Sequence, residues 1–454
     1  MQHKQLFDLS SRESIRNWLV NLVFLIYWIV IFEGALRKWV FPGFGSVIYF
    51  LKDPFVLIAY LLAFKYAMWP KRNALFTCAC ILALIYLIVA ILQILLLNVH
   101  PLVVAYGLWV YFWYMPLAFL IGENFRGKDL ARLVRQTLFV AIPIACLVYY
   151  QFKSPMDHWI NLYVDPDAKV ATVGQVVRTC GTFSYLTGET IFVGSTLPML
   201  FSLWLIPRHQ RPLSLPSGIT ASLAVIVIFL LNGSRAIFAY GLVTLAAAVL
   251  CCLLLATRIN VARLICILGT LPLVCGTAAI IMINFFPEAF ETQSERLQTS
   301  LDPSESNVIG RVNPLAATLA LVTALQSTPV LGYGVGRGTG PASIFITGER
   351  SFFKSEGEWP RIVEDSGICG LFYLTYRLFF IGYLFVQAIE SVRRSTNPLP
   401  LLLLSFTAIV LGTQEMCAGG TATYYGWLFA GFCLAANSLG LHVASREAKV
   451  SVTT

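Results

Sequence analysis

Stretches of about 18 to 22 predominantly apolar residues recur along the whole chain, and each is long enough to cross a hydrocarbon core of about 30 Å. In lipid, every backbone polar group has to be paired within the segment, so runs of this kind become helices. Charged residues make up 12% of the chain and hydrophobic ones 57%; soluble domains carry roughly 25% charged residues. The expected fold class is therefore all-α, a polytopic transmembrane helical bundle forming one integral membrane domain over residues 1–454. About twelve spans are expected, near 17–36, 46–67, 74–97, 101–121, 133–151, 189–206, 218–232, 235–256, 264–285, 366–388, 398–414 and 421–440. The N-terminal segment has no short apolar core followed by a cleavage site, so the first helix is expected to stay in the protein.

The charges supply the orientation. With the N-terminus inside, every inside segment is basic: Lys4, Arg12 and Arg16, then Lys71 and Arg72, Arg126 to Arg135, Arg208 and Arg211, Arg258 and Arg263, Arg393 and Arg394, Arg446 and Lys449. The short outside loops are nearly free of Lys and Arg, apart from Arg37, Lys38 and Arg235. This asymmetry predicts that both termini are cytoplasmic. The net charge of +9 then reads as anchors for anionic lipid, with no call for nucleic acid. The cysteines within apolar runs, such as Cys78, Cys80, Cys251, Cys252, Cys266 and Cys275, read as small buried hydrophobes. Cys180 is the one expected in an outside loop, with no obvious partner there.

The first hairpin carries Glu33, Arg37 and Lys38, followed by Lys52 and Asp53. Charges near membrane depth pair or line a wet cavity. Two readings are open: Glu33 and Arg37, four apart, pair with each other, or the group lines a substrate cavity. Two outside loops are long. The first, 152–188, contains Asp165-Pro166-Asp167, which reads as a turn before it reads as a metal site, and Arg178 ahead of CGTFSY. Arg235, in NGSRAIFAYG, is expected at the first turn of a span. A cation there opposes the helix dipole unless something negative visits.

The second loop, 286–365, is the longest polar part of the chain. It is expected to hold a short helix over Pro287–Ser300, a linker reaching Arg311, and a helix begun by Asn313-Pro314 that lies in the interface or packs on the bundle. The glycine-rich LGYGVGRGTG, with Arg337, is expected to be a tight, flexible path; no βαβ context makes it a dinucleotide motif. In the charged piece that follows, Glu358, Arg361 and Asp365 would share one helix face, either as a solvated, self-paired surface or as part of a site.

Arg178, Arg235, Arg311 and Arg361 all fall on the same side of the membrane. Guanidinium groups bind phosphate oxygens in pairs and keep their charge. Several of them above an apolar bundle suit an amphiphile with a phosphate head. A diphosphate leaving group needs its charge stabilised, and a carboxylate takes the proton of an attacking hydroxyl. Glu358 is the first candidate for that base, with Glu364 and Asp365 as rivals. No His lies between Pro287 and Asp365.

The order of features and the phrases RTCGTFSY, NGSRAIFAYG, LGYGVGRGTG and GEWPRIVEDSGICGL resemble the O-antigen polymerase and O-antigen ligase superfamily. The resemblance implies a GT-C-like bundle in a bacterial inner membrane and a metal-independent glycosyltransferase without cofactor. The implied substrate is a polyprenyl-diphosphate-linked glycan, and membrane lipids, a flippase and a chain-length regulator are implied partners. In that family loop arginines hold the lipid diphosphate, which carried over implies this role for Arg235 and Arg311 and extends to Arg178; the residues themselves add Glu358 as a catalytic candidate and Arg361, Arg337 and Glu364 as substrate-binding candidates. Ligases of the family carry a His near the position of Glu358, so its absence favours a polymerase over a ligase. A transporter and a non-catalytic scaffold are the competing readings.

Overall fold

A computed structural model describes residues 2–70, 72–165, 170–173, 176–255, 280, 284, 287, 314–339, 357–395 and 397–453. Their regular structure is almost entirely helical; a two-strand antiparallel hairpin, β1 (Thr172–Val173) with β2 (Val176–Val177), is the sheet among the described residues. The helices, numbered among the described residues, are α1 (Gln2–Ala35), α2 (Gly45–Tyr49), α3 (Asp53–Lys65), α4 (Ala74–Leu97), α5 (Pro101–Phe112), α6 (Met115–Asn124) and α7 (Gly127–Lys153). After the hairpin come α8 (Leu186–Leu205), α9 (Leu215–Leu231) and α10 (Ala236–Leu255). The rest are α11 (Pro314–Ser327), α12 (Glu358–Ser366), α13 (Cys369–Ser395), α14 (Leu399–Thr413) and α15 (Thr421–Thr453).

Eight helical stretches among the described residues are long and apolar enough to cross a membrane, and shorter apolar helices include α9 and α14. This is the architecture of a multi-pass membrane protein. The ninth expected span, 264–285, lies outside the described residues apart from isolated positions. The outward faces are greasy: α4 exposes Ile81, Leu84, Leu87, Ile88, Ile91 and Leu95, as a lipid-facing helix should. Cys78 and Cys80 are exposed on that same helix, whereas Cys251 and Cys252 are buried; the first pair thus departs from the expectation of burial because α4 turns that side outward. Inside, α15 packs against α6, α13 and α14, and Tyr425, Trp427 and Phe429 are fully enclosed.

Local chemistry sets the helix ends. The Asn73 side chain accepts the Phe76 N–H at the start of α4, satisfying one of the donors a first turn leaves open. Proline opens α5 and α11, where its missing N–H costs nothing. At one end of the bundle Arg16 donates to Asp129 at 2.7 Å and to the Asn124 carbonyl at 3.0 Å, tying α1 to the start of α7.

Two expected spans are not continuous. The first span ends in a π-helical turn at Leu36–Val40, and the second is built from a 3-10 turn at Pro42–Phe44 and then α2 and α3 with a break between them. The fourth is broken at Trp113 and Tyr114, between α5 and α6. Side chains fill the gaps: Lys52 donates to the Tyr49 carbonyl and Tyr60 to the Trp113 carbonyl at 2.5 Å. Apolar periodicity registers hydrophobic length, and it does not register such a break when the flanking residues stay apolar.

Candidate functional site

The end of the bundle opposite the Arg16 cluster gathers the polar chemistry. Its first part is the segment 178–185, RTCGTFSY. Thr179 donates to Glu189 at 2.9 Å, and Asn232 donates to the same carboxylate oxygen at 3.0 Å. Glu189 stands in the first turn of α8, where an acid is favoured by the helix dipole, and it is fully buried. Gln151, near the end of α7, clasps Gly181 from both sides, donating to its carbonyl at 3.2 Å and accepting its N–H at 2.8 Å. Thr182 donates to the Ile31 carbonyl at 2.7 Å. The segment is thereby fixed to α1, α7, α8 and the turn after α9.

That fixing brings two separated phrases together. Arg178 lays its side-chain stem across Gly233, where an added Cβ would meet Arg178 Cγ at 3.2 Å. Arg235 follows two residues later, just ahead of α10 rather than within its first turn, and is half-buried. The end of α1 joins the same place. Arg37 donates to Ser184 Oγ at 3.2 Å. Lys38 donates to Cys180 Sγ and to the Gly181 carbonyl, each at 3.1 Å. Cys180, expected to lack a partner in an outside loop, is buried, and burial pushes its thiol up while Lys38 pulls the other way.

Beneath this lies an ion pair within the bundle. Lys52 is fully buried and donates to Glu33 at 2.7 Å. The Lys52 ammonium also sits over the rings of Tyr49 and Tyr424, at 4.5 and 4.1 Å, as cations favour. The expected Glu33–Arg37 pair is present, but it is the longer one, at 3.5 Å. Tyr114 donates to Asp53, which joins the two interrupted spans.

The second part is the glycine stretch with α12. The stretch is tight as expected, but it is packed against its neighbours rather than free. Gln93 of α4 donates to the carbonyls of Leu331 and Asp365 and accepts the Val335 N–H at 2.8 Å. Gly336 has φ +87°, and a Cβ there would lie 2.5 Å from the Val103 carbonyl and 2.7 Å from Gly107 Cα. Only glycine meets both demands. Arg337 is exposed.

The charged piece is helical, as α12, and its charged face is turned into the protein. Glu358, 3% exposed, receives Arg377 at 2.6 Å and the Cys417 N–H at 3.2 Å. Arg361 donates to Glu415 at 3.1 Å, and the Glu415 side chain is 43% exposed. Glu364 is buried. Asp365 is fully buried, accepts from Tyr111 at 2.9 Å and from the Gly338 N–H at 3.2 Å, and burial pushes its carboxyl up to about 7.

Of the candidate residues, Arg178 therefore packs on Gly233 in the turn after α9, two residues ahead of Arg235. Arg361 pairs with Glu415, Glu358 is engaged by Arg377, and Arg311 lies outside the described residues. The side chains missed from sequence are Gln93, Glu189, Arg377 and Glu415. Arg377 was marked in the chain: a charge in the middle of LFYLTYRLFF demands a partner. Glu189, near a span end, carried the same signal more weakly. Among the described residues, no three His, Cys, Asp or Glu side chains are grouped as metal ligands. No family model and no curated protein matches the chain.

Proposed function

We propose that the protein is a glycosyltransferase of the bacterial cytoplasmic membrane. On this reading it has twelve spans, both termini are cytoplasmic, and the end carrying segment 178–185 and α12 faces outward. It joins oligosaccharide units carried on polyprenyl diphosphate, in the manner of a polysaccharide polymerase. The observation that carries the reading is the packing of the Arg178 side-chain stem on Gly233, because it brings one distant loop onto the turn that leads to Arg235. In the reaction an acceptor hydroxyl attacks the anomeric carbon, the bond from that carbon to the diphosphate oxygen breaks, and the diphosphate leaves with the bonding pair. Arg178 and Arg235 meet the charge that develops on it, together with Arg311 by the family resemblance. Of the carboxylates around α12, Glu415 is the accessible one, and on this reading it takes the hydroxyl proton. Glu358 instead becomes a positioning residue, because its oxygens hold Arg377 and the Cys417 N–H.

The test is elongation in vitro. Protein in nanodiscs is given a polyprenyl-diphosphate oligosaccharide, and the products are sized. Long glycans with the native chain, reduced at least 100-fold in the Arg178→Ala, Arg235→Ala variant, support the reading. Undiminished products in that variant refute it, and transfer of finished chains to a separate lipid acceptor would make the enzyme a ligase.

A transport reading has its own observation. The second and fourth spans are interrupted, and Lys52 lies buried at one interruption, the kind of place where carriers bind cargo. Counterflow of a labelled solute in proteoliposomes would favour it.

A further inference from the structure

We infer that Arg37 and Lys38, at the end of the first span, are further ligands for the diphosphate headgroup of the lipid-linked substrate. The inference rests on the proposed function and adds a binding wall that the loops alone do not supply.

Three observations lead there. The first is placement. Arg37, Lys38 and Arg235 are the cations that break the inside-positive pattern of the short loops. Arg37 and Lys38 both touch segment 178–185, whose Arg178 packs on the turn leading to Arg235. Cations that a membrane topology would otherwise disfavour thus converge on one place.

The second is neutralisation. Among the described residues, the Lys38 ammonium contacts a thiol, a carbonyl and the Trp39 ring and touches no carboxylate, the buried Glu189 acting on it only through space. Cys180 stays a thiol near neutral pH because burial raises it, so it does not cancel the lysine charge. Arg37 has Glu33 at 3.5 Å, while Lys52 holds the other oxygen of that carboxylate at 2.7 Å. The Arg37 Nε has no hydrogen-bond partner.

The third is backbone. A π-helical turn runs from Leu36 to Val40, through both cations, and closes with the Phe41 N–H on the Leu36 carbonyl at 2.8 Å. Such turns are rare and recur at functional sites. Here the turn sends Arg37 towards Ser184 and Lys38 towards Cys180, two points along one segment. A diphosphate has two phosphoryl groups to be met.

Binding of farnesyl diphosphate to the full chain in nanodiscs, with farnesol and inorganic pyrophosphate alongside, tests this. The native chain should bind farnesyl diphosphate in a salt-sensitive way, bind inorganic pyrophosphate more weakly, and ignore farnesol. Arg37→Gln and Lys38→Gln should each weaken binding by about tenfold, Lys38→Arg should retain most of it, and Arg132→Gln at the opposite end should change nothing. Melting temperatures identify variants that have lost their fold. If Lys38→Gln and Arg37→Gln are folded and bind as the native chain does, the inference falls while the proposed function stands. If the native chain binds no farnesyl diphosphate, or binds inorganic pyrophosphate as tightly, both fall.

Discussion

Replacing Arg377 with methionine is the sharpest test of how α12 is held. Arg377 and Glu358 have side chains 1% exposed and meet at 2.6 Å. Arg377 also donates to the Leu411 carbonyl at 2.7 Å. Removing one member of a buried pair leaves the other as an uncompensated charge, at a cost of about 3–5 kcal/mol. Replacing both by uncharged groups of similar size can be nearly neutral. Arg377→Met should therefore destabilise by about 3–5 kcal/mol, and adding Glu358→Gln should recover at least about 2 kcal/mol of that loss. Unfolding in mixed micelles with increasing dodecyl sulfate, followed by tryptophan fluorescence, measures each state. Elongation should follow stability, so the double variant should regain the activity that Arg377→Met loses. The contrary result is clear. If Glu358→Gln abolishes elongation and leaves unfolding unchanged, and Arg377→Met is innocuous, then Glu358 acts in chemistry and the positioning role is wrong.

Other consequences can be measured with the same protein. Gly336→Ala forces a side chain into a left-handed position and against the Val103 carbonyl; it should cost at least about 1–3 kcal/mol and expose the glycine stretch to protease, and unchanged digestion would show that the stretch is loosely held. Asp365 titrates near 7 in the folded chain because of burial, against about 3.9 when exposed. The folded state then binds that proton more tightly, so its contribution is present below about pH 4 and is lost as pH rises through about 7. The unfolding midpoint should therefore be higher at pH 5 than at pH 8, and Asp365→Asn should reduce the difference. Cys180, 2% exposed, should resist a membrane-permeant maleimide until the chain is unfolded, while Cys78 and Cys146 react in the folded protein. Lys52→Met should release Glu33 to Arg37 and weaken farnesyl diphosphate binding; a folded Lys52→Met variant with native affinity would argue against the charge accounting at Arg37.

Much of the bundle was legible because apolar length and proline or asparagine punctuation act locally. The start of α11 at Pro314 and the start of α4 after Asn73 follow from residues within one turn of each end. The helix over 358–366 was legible only as the condition under which Glu358, Arg361 and Asp365 share a face. Which way its charges face was not, because the answer lies in Arg377, Tyr111 and Glu415, all distant in sequence. The same holds for Gly336, whose necessity comes from Gly107 on another helix. Lys52 was visible as a charge near membrane depth, but its pairing with Glu33 in preference to Arg37 depends on a helix break that hydropathy does not record.

The two halves of the site differ in a way that bears on their division of labour. Around α12 the charges are matched in contact, Glu358 with Arg377 and Arg361 with Glu415. Such a region resists a further charge but can accept a neutral sugar hydroxyl beside the exposed edge of Glu415. At the end of α1, Lys38 touches no carboxylate among the described residues, and Arg37 shares one that another cation holds more closely. Keeping cations half-buried without matched partners costs free energy, and an anion that arrives there recovers part of it. On the proposed glycosyltransferase reading, the donor's diphosphate would therefore sit with Arg37, Lys38, Arg178 and Arg235, and the acceptor with α12. The transport reading asks for a different arrangement, in which the Glu33–Lys52 pair opens and closes in each cycle. A pair enclosed by two tyrosine rings and a backbone carbonyl is better suited to stay shut and keep Arg37 under-neutralised.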